Sequence, residues 1–564
     1  MNLVACGELS PLLTSTTSCG SSGNVRGNLE QRPLLYLFHL ALIAQNARKP
    51  PKGLRAVPGP KPVPIVGNLL QIASPPQRQL QKWAREYGEL YKLRLGWEEW
   101  IYVNSPEAVK DIFDKQSQHT SSRMPSPVLS DVLSGGMRFL LMPYSPQWRK
   151  LRSIVHKLLN IQASKAFMPI QEFEAKQLVW DILTDNGNQE EFYMHIRRYT
   201  TSVMMTSTYG RRVPKWQCED VEEIYGLMKE FSEHATPGKY AAEMFPPLAK
   251  LPTWLQWWRK PLMKCQQRQA NIWMKYWTML KQQMAEQKAP DCFVKQFIET
   301  DYEKQDISEI QAAFVAGSMI EAGSETTSSA INSCVKYLAA FPEAQAKAYA
   351  EVLRVVGESR SPTFEDEDSL PYIRACVKEI LRIRPVTNIG TPHYTTSDIA
   401  YKGFHIPANT VVCINQYALH FDPLRYDDPD AFIPDRYLSL PLRAGAYAAH
   451  PDPYARDHFD FGAGRRVCPG MHLAENSLFI TIAKIVWAFE ILPPVDEDGN
   501  VGIVDVSDAA YEEGANTIPR PSRLRFVPRS PAVEETIRKE WERAARDGYM
   551  LGNVKVDLDG MIAG

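Results

Sequence analysis

The residues most able to do chemistry lie in one loop, Phe461 to Gly470, with the sequence FGAGRRVCPG. Its glycines allow the chain to turn tightly around Cys468. Pro469 suits the first position of a helix, and an amphipathic stretch follows from Met471 to Phe489. A cysteine at a helix amino terminus beside arginines favours the thiolate, which is what a haem iron takes as its fifth ligand. A lone cysteine is more often a small buried apolar residue, but the surrounding residues here favour a ligand.

A second polar group interrupts a long apolar pattern. Asp306 and Glu309 predict a capping box at a helix start, and the pattern continues until Pro342 ends it. The roughly 35 residues predict a helix about 50 Å long. Its middle, Ala322 to Thr327, reads AGSETT, which is a poor choice for a helix interior by propensity. Taken alone, a solvated polar face explains this segment better than a catalytic one.

Two further pairs have helical spacing. Glu379 and Arg382 are three residues apart, and Trp148 and Arg152 are four apart, so each pair shares one helix face. Opposite charges let the first pair form an ion pair. The planar guanidinium of Arg152 suits a carboxylate. Strand patterns are strong over Glu89 to Val103 and weaker at two other places, Ile399 to Val412 and Arg523 to Val527.

The loop around Cys468 resembles the haem-ligand loop of the cytochrome P-450 family, F-x-x-G-x-[RH]-x-C-x-G. Four more segments match motifs of that family in its order: W-x-x-x-R at Trp148 to Arg152, [AG]-G-x-[DE]-T-[TS] at Ala322 to Thr327, E-x-x-R at Glu379 to Arg382, and F-x-P-x-R at Phe432 to Arg436. The resemblance covers about Pro58 to Arg529. It implies a mainly helical fold with small β-sheets (α+β), in which a long central helix lies over a buried haem.

The resemblance also implies which residues bind the haem. Cys468 would be the axial thiolate ligand of haem b. The other residues implied to bind the cofactor are Phe461, Trp148, Arg152, Arg466 and His393, the last four through a haem propionate where they reach one. For His393 an ordinary loop histidine remains the alternative.

Two further sets of residues gain roles from the resemblance. Glu325 and Thr326 would relay protons and position oxygen, and Gly323 would leave room for O₂ beside a locally opened helix. The set with a structural role beneath the haem comprises Glu379, Arg382 and Arg436.

The implied reaction inserts one oxygen atom from O₂ into a lipophilic small molecule. Electrons would come from NADPH through a cytochrome reductase, with cytochrome b5 as an additional donor. Arg149, Lys150 and Lys157 lie on the other sides of the helix that carries Trp148 and Arg152 and would suit an acidic partner, although exposed basic residues are commonplace in proteins. The pattern most resembles microsomal members from filamentous fungi, which suggests secondary metabolism. Desaturation, coupling or rearrangement by a haem-thiolate enzyme remains an alternative. A non-catalytic haem sensor is a further alternative, and the intact Glu325–Thr326 pair argues against it.

Four segments correspond to the substrate-facing parts of the family: Val128 to Leu140, Phe314 to Met319, Val386 to Ile389 and Gly514 to Thr517. They are mostly apolar, which favours a hydrophobic guest. The polar exceptions are Thr387, Asn388, Asn516 and Thr517. Phe314 and Met319 fit the helix core equally well.

Composition excludes several classes of protein. A net charge of −1 over 564 residues argues against a nucleic-acid binder that depends on bulk attraction. The nine cysteines are odd in number and form no CxxC pair, which disfavours a disulfide framework and a zinc ribbon. No run of 18 apolar residues occurs, so a protein with several membrane spans is excluded.

The expected organisation has three parts: residues 1–57 before the catalytic domain, the domain itself at 58–529, and a charged tail at 530–564. The first part contains an apolar run, Pro33 to Ala44, which is short for a membrane span but precedes several basic residues. The segment Phe245 to Leu262 combines tryptophans with prolines and cations, as membrane-interface segments do. Both features favour the endoplasmic reticulum membrane with a cytosolic catalytic domain. The alternative for each is a buried or packing segment.

Overall fold

Helices dominate the molecule. The computed structural model describes residues 49–185, 189–236, 238–512, 514, 516–552 and 554–559. Its α-helices are α1 Pro76–Tyr87, α2 Pro106–Val109, α3 Ser117–Thr120, α4 Pro146–Leu159, α5 Ile161–Lys165, α6 Met168–Thr184, α7 Phe192–Tyr209, α8 Glu219–Ala235, α9 Ala241–Met244, α10 Arg259–Ala285, α11 Phe293–Ile298, α12 Glu309–Ala340, α13 Pro342–Val356, α14 Pro371–Ile383, α15 Gln416–His420, α16 Ala444–Ala449, α17 Met471–Ala488 and α18 Pro531–Asp547.

The strands are short. They are β1 Arg55–Ala56, β2 Leu90–Leu95, β3 Glu98–Val103, β4 His393–Tyr394, β5 Ile399–Tyr401, β6 Phe404–Ile406, β7 Val411–Ile414, β8 Phe489–Leu492, β9 Tyr511–Glu512, β10 Ile518–Pro519, β11 Arg525–Pro528, β12 Tyr549–Leu551 and β13 Val554–Val556. The largest sheet has the order β2-β3-β7-β4, and another has the order β1-β6-β5. The predicted mainly helical fold with small sheets is confirmed, and the three predicted strand regions contain strands.

The central helix α12 has 32 residues and spans about 48 Å at 1.5 Å per residue. Its N-cap is Ser308, whose hydroxyl accepts a backbone N–H of the first turn. Asp306 instead has a left-handed φ of 60° and ends a preceding 3-10 turn. Asp306 is therefore not the N-cap, and the predicted capping box of Asp306 and Glu309 is wrong. The carboxylate of Glu309 instead accepts hydrogen bonds from side chains of α10. The helix ends before Pro342 as predicted.

Helix α17, which follows the cysteine loop, begins at Met471 with Gly470 as its N-cap. Pro469 therefore lies before the helix and not at its first position. Nearly every residue of α17 is buried, including Lys484. The expected amphipathic pattern fails because α17 is packed against α6, α12, α13 and α14 at once, and a helix surrounded in this way is mostly apolar around its whole circumference.

The first strand belongs to the folded body. Arg55 in β1 pairs with Phe404 in β6, and the compact unit begins at Pro50. The boundary expected between residues 57 and 58 would separate β1 from its sheet. The apolar run Pro33 to Ala44 lies outside the described residues. Among the helices that the structure describes, none combines the length and apolar character needed to cross a bilayer.

The last part of the chain packs on α6. The ring centroid of Phe173 lies 5.8 Å from that of Trp541 in α18 and 4.7 Å from that of Tyr549 in β12. Glu540 accepts a hydrogen bond of 2.8 Å from the backbone N–H of Ser361. The charged segment that begins at residue 530 is helical in part and is held by contacts with the catalytic body.

Candidate active site

The cysteine loop is closed by its own backbone. The N–H of Cys468 donates to the carbonyl of Phe461 at 2.9 Å. Gly464 has a φ of 65°, and a Cβ there would lie 2.1 Å from the carbonyl oxygen of Phe113. Its N–H donates to Asp114 Oδ1 at 2.8 Å. A glycine is therefore required at 464, and the loop is fixed against the turn that contains Phe113 and Asp114.

The pKa of the Cys468 thiol is determined by interactions that act in opposite directions. Burial raises its pKa, whereas a hydrogen bond from the N–H of Gly470 and the charge of Arg152 lower it. Arg152 belongs to α4, so the cation facing the thiol comes from another element and not only from the loop. The described parts of the chain contain no group of three or more His, Cys, Asp or Glu side chains arranged for a metal ion. A single thiolate fits an iron that brings its other ligands with it, as haem iron does.

Three arginines gather near this loop: Arg123, Arg152 and Arg466. The guanidinium of Arg466 lies 3.8 Å from the ring centroid of Trp148. Burial lowers the pKa of all three, that of Arg466 to about 8 with repulsion from the other two, and that of Arg123 to about 10. In the described ranges none of them pairs with a carboxylate, and the indole N–H of Trp148 is buried without a partner. Cations that are largely removed from water, beside a buried donor without a partner, favour the binding of an anion, and the haem propionates fit this set.

Sequence patterns do not identify Arg123 as part of this cluster. It donates to the carbonyls of Thr391 at 3.1 Å, Pro392 at 2.7 Å and Leu140 at 3.1 Å. No periodic pattern or motif marks it, because only the fold brings it beside Arg466. Arg123 lies between Ser122 and Met124 in a loop without helical periodicity, so the sequence around it carries no signal of its role.

His393 lies within the same cluster. Its Nδ1 is 2.8 Å from the carbonyl oxygen of Thr120, so Nδ1 carries the proton of the neutral ring. Burial and the charges of Arg123 and Arg466 hold its pKa well below the usual range. In this state Nε2 is an acceptor. Nε2 can donate a hydrogen bond to a propionate only if the negative charge of the propionate makes the His393 ring take up a second proton.

The structure brings Glu379, Arg382 and Arg436 together, as the resemblance implies. Arg382 binds both oxygens of Glu379 at 2.7 Å, and Arg436 Nε donates to the same carboxylate at 3.1 Å. The N–H of Ile433 is a fourth donor at 2.8 Å. Glu379 and Arg382 are fully buried. The network joins α14 to the segment before the cysteine loop and contacts no part of the central helix motif, which suits a structural role.

Two polar residues of the central helix have defined partners. The hydroxyl of Thr326 donates to the carbonyl of Ala322 at 2.6 Å. Oε2 of Glu325 accepts from the side-chain amide of Asn516 at 2.9 Å. Ala322 is exposed, whereas Ser324 on another face of the helix is buried. Ala322 and Thr326 are four residues apart and share this accessible face.

Gly323 does not face the same side. A Cβ on Gly323 would lie 2.4 Å from Sδ of Met204 in α7. The space left by its missing side chain is taken by a neighbouring helix, and residues 309–340 form one continuous α-helix. The expectation that Gly323 leaves room for O₂ beside an opened helix is corrected by this contact.

Two of the predicted substrate-facing segments meet beside the central helix. The N–H of Thr517 donates to the carbonyl of Val386 at 2.7 Å, and the neighbouring Asn516 reaches Glu325. Phe314 and Met319 are only 1 % and 7 % exposed and lie in the main hydrophobic core. The structure thus favours the core interpretation for these two residues.

Comparisons with known proteins agree with this geometry. The cytochrome P-450 family model matches residues 57–501. The chain is 42 % identical over 510 residues to the cytochrome P-450 monooxygenase pgmC of Aspergillus terreus, covering 90 % of this chain and 93 % of the relative. It is 40 % identical over 495 residues to verL of Clonostachys rogersoniana, covering 87 % and 90 %, and 36 % identical over 499 residues to yanC of Aspergillus niger, covering 86 % and 92 %. The chain therefore belongs to the cytochrome P-450 family, and it is an oxygen-incorporating oxidoreductase that uses haem b with a cysteine thiolate as axial ligand.

Proposed function

We propose that this enzyme is a microsomal haem-thiolate monooxygenase that inserts one oxygen atom into a lipophilic small molecule of secondary metabolism. The observation that carries the proposal is the loop of Cys468, where buried Arg123 and half-buried Arg152 and Arg466 have no carboxylate partner among the described residues. Cys468 would hold the iron, and Arg123, Arg152, Arg466 and Trp148 would hold the propionates. When bound, the haem supplies the activation of O₂, which a thiolate ligand promotes.

The ligand assignment is tested by spectroscopy. We expect carbon monoxide added to the reduced protein to give the Soret band of thiolate-ligated haem, and Cys468→Ala to abolish it. Cys334→Ala is the matched control, because Cys334 is a fully buried cysteine in α12, away from the loop. A normal spectrum in Cys468→Ala would disprove the assignment.

The proposed proton supply runs through the central helix. Asn516 holds one oxygen of Glu325 and so fixes the direction of the carboxylate. The hydroxyl of Thr326 donates a hydrogen bond to the carbonyl of Ala322, so the lone pairs of the hydroxyl oxygen remain available to accept another hydrogen bond. Glu325 would deliver protons, and Thr326 would hold oxygen in place.

We expect Asn516→Leu to lower the product formed per NADPH consumed, because the carboxylate of Glu325 loses its positioning partner. Asn516→Gln keeps the amide donor and should restore part of the coupling. The carbon monoxide spectrum should stay normal in both variants. Full coupling in Asn516→Leu would contradict the positioning role.

Oxygen insertion and the alternative outcomes are separated by labelled O₂. Label in the product supports monooxygenation. Its absence, with continued NADPH consumption, would indicate desaturation, coupling or rearrangement. Failure to consume NADPH with any reductase would leave the haem sensor.

The proposed electron donors are NADPH-cytochrome reductase and cytochrome b5, and the proposed docking face lies on α4. Arg149 and Lys157 are exposed on this helix, whose opposite side carries Trp148 and Arg152. Lys150 is also exposed but binds Asp306 at 3.1 Å. We expect Lys157→Glu to slow reduction of the haem most strongly at low ionic strength, since exposed charges steer an acidic partner. A rate independent of salt would contradict this face.

Contact with the endoplasmic reticulum membrane is proposed for the segment Phe245 to Leu262. Trp254 and Trp257 are 79 % and 69 % exposed, whereas Trp258 is buried. Exposed indoles beside cations suit a lipid–water interface. We expect Trp254→Ser with Trp257→Ser to weaken binding of the full chain to anionic phospholipid vesicles, and unchanged binding would refute the contact.

A further inference from the structure

A buried polar cluster joins three elements near the central helix. Nη2 of Arg138 donates to Oε1 of Glu321 at 3.1 Å and to Oε1 of Gln269 at 3.1 Å, and its Nη1 donates to the other oxygen of Glu321. Arg138 follows the turn Leu129–Leu133, Gln269 is in α10 and Glu321 is in α12. The ring centroid of Phe231 lies 3.8 Å from the guanidinium, so an aromatic face covers the charge.

The position of the cluster follows from its neighbours along the chain. The carbonyl of Leu140 accepts from Arg123, and that of Met142 accepts from Arg466. The same loop therefore runs from the propionate-binding arginines to Arg138 and the central helix. Glu321 immediately precedes Ala322, the exposed residue on the face shared with Thr326. If the proposed function holds, this places the cluster at the edge of the distal side of the haem.

Two donors of the cluster have no partner among the described residues: Nε of Arg138 and Nε2 of Gln269. Gln269 is fully buried and Arg138 is 6 % exposed. The orientation of the Gln269 amide is fixed, because its oxygen accepts from Arg138. A buried donor without an acceptor is unfavourable, so both groups are suited to bind an oxygen atom from outside the chain.

The charge of the cluster restricts the kind of oxygen. Glu321 already neutralises Arg138, so a substrate carboxylate would add an uncompensated buried charge. Burial raises the pKa of Glu321, and the guanidinium of Arg138 opposes that effect. A neutral acceptor carries neither cost.

We propose that Arg138 and Gln269, with Glu321 fixing the guanidinium, form a specificity-determining subsite that binds a neutral carbonyl oxygen of the lipophilic substrate. This proposal rests on the proposed function. The subsite holds the carbonyl end of the substrate and thereby selects which carbon faces the haem.

The test compares two aryl imidazoles that the haem iron anchors in the same way, 1-phenylimidazole and 1-(4-acetylphenyl)imidazole, by spectral titration. The acetyl compound should bind the wild-type protein about five- to tenfold more tightly, the gain expected for one or two net hydrogen bonds. Gln269→Leu should remove most of this preference. Arg138→Lys keeps the pair with Glu321 but lacks the Nε donor, and it should reduce the preference without loss of folding.

Gln267→Leu is the matched control, because Gln267 is exposed on the same helix and contacts only Asn271 among the hydrogen bonds described. It should keep the wild-type ratio. A wild-type ratio near one, or a ratio unchanged in Gln269→Leu and Arg138→Lys, overturns the subsite. Loss of the thiolate Soret band in wild-type protein would instead refute the proposed function, so the two failures are distinguishable.

Discussion

The packing of the C-terminal segment predicts that truncating one leucine, Leu551, strongly lowers the free energy of unfolding. Leu551 is 1 % exposed and belongs to the main hydrophobic core, where β12 contacts α6. Leu551→Ala removes three carbon atoms from this core. Transfer accounts for about 0.8 kcal/mol per carbon, and the remaining cavity adds to it, so we expect a loss of about 2–5 kcal/mol in the free energy of unfolding.

The assay is urea unfolding of the haem-loaded protein, followed by tryptophan fluorescence and by the Soret band. Met550→Ala is the control, because Met550 lies on the same strand and is 52 % exposed. Its cost should stay below about 0.5 kcal/mol. Equal losses in the two variants, or a wild-type value for Leu551→Ala, would refute the conclusion that β12 is part of the core.

Three further predictions follow from buried groups. Glu379→Gln should lower the free energy of unfolding by about 3–5 kcal/mol and reduce the haem content, because two arginines lose their counter-charge. Gly464→Ala should lose haem binding, measured from the carbon monoxide spectrum, whereas Gly462→Ala should retain more of it, since both have positive φ but only Gly464 has a close backbone contact. Burial lowers the pKa of Lys484 to about 8 in the folded protein. Above that pH the folded protein loses this proton while the unfolded chain still holds it, so the free energy of unfolding should rise with pH until the ordinary pKa range of lysine is reached. A rise of the same size in Lys484→Met would show that another group is responsible.

Residues close in sequence were the predictable part of the site. The cysteine loop, the Glu379–Arg382 pair and the Glu325–Thr326 pair each lie within one short segment, so their residue types and spacing suffice to identify them. The same holds for the strands β2 and β3, whose pattern lies in one hairpin. The family resemblance then supplied the order of the segments and the fold class.

Contacts between distant segments could not be predicted. Arg123 lies close enough to Arg466 to lower its pKa, and Asn516 donates a hydrogen bond to Glu325, only because the fold brings these distant segments together. The burial of α17 on all sides is unpredictable for a similar reason, since the helices that cover it lie elsewhere in the sequence. The charge of the segment after residue 529 gives no sign that it packs on α6. Its buried residues Val533, Ile537 and Ala544 share one helix face, a pattern that predicts a buried side but does not identify the helix it packs on.

The glycines of the central helix have a consequence for how this fold varies between relatives. A Cβ on Gly317 would lie 2.2 Å from the ring of Trp273, and a rigid indole cannot move aside in a packed interior. A relative with a larger residue at position 317 must therefore carry a smaller one at 273, so these two positions should change together during evolution. Gly323 faces the flexible thioether of Met204, which can adopt another rotamer, so substitutions at that pair should be more nearly independent.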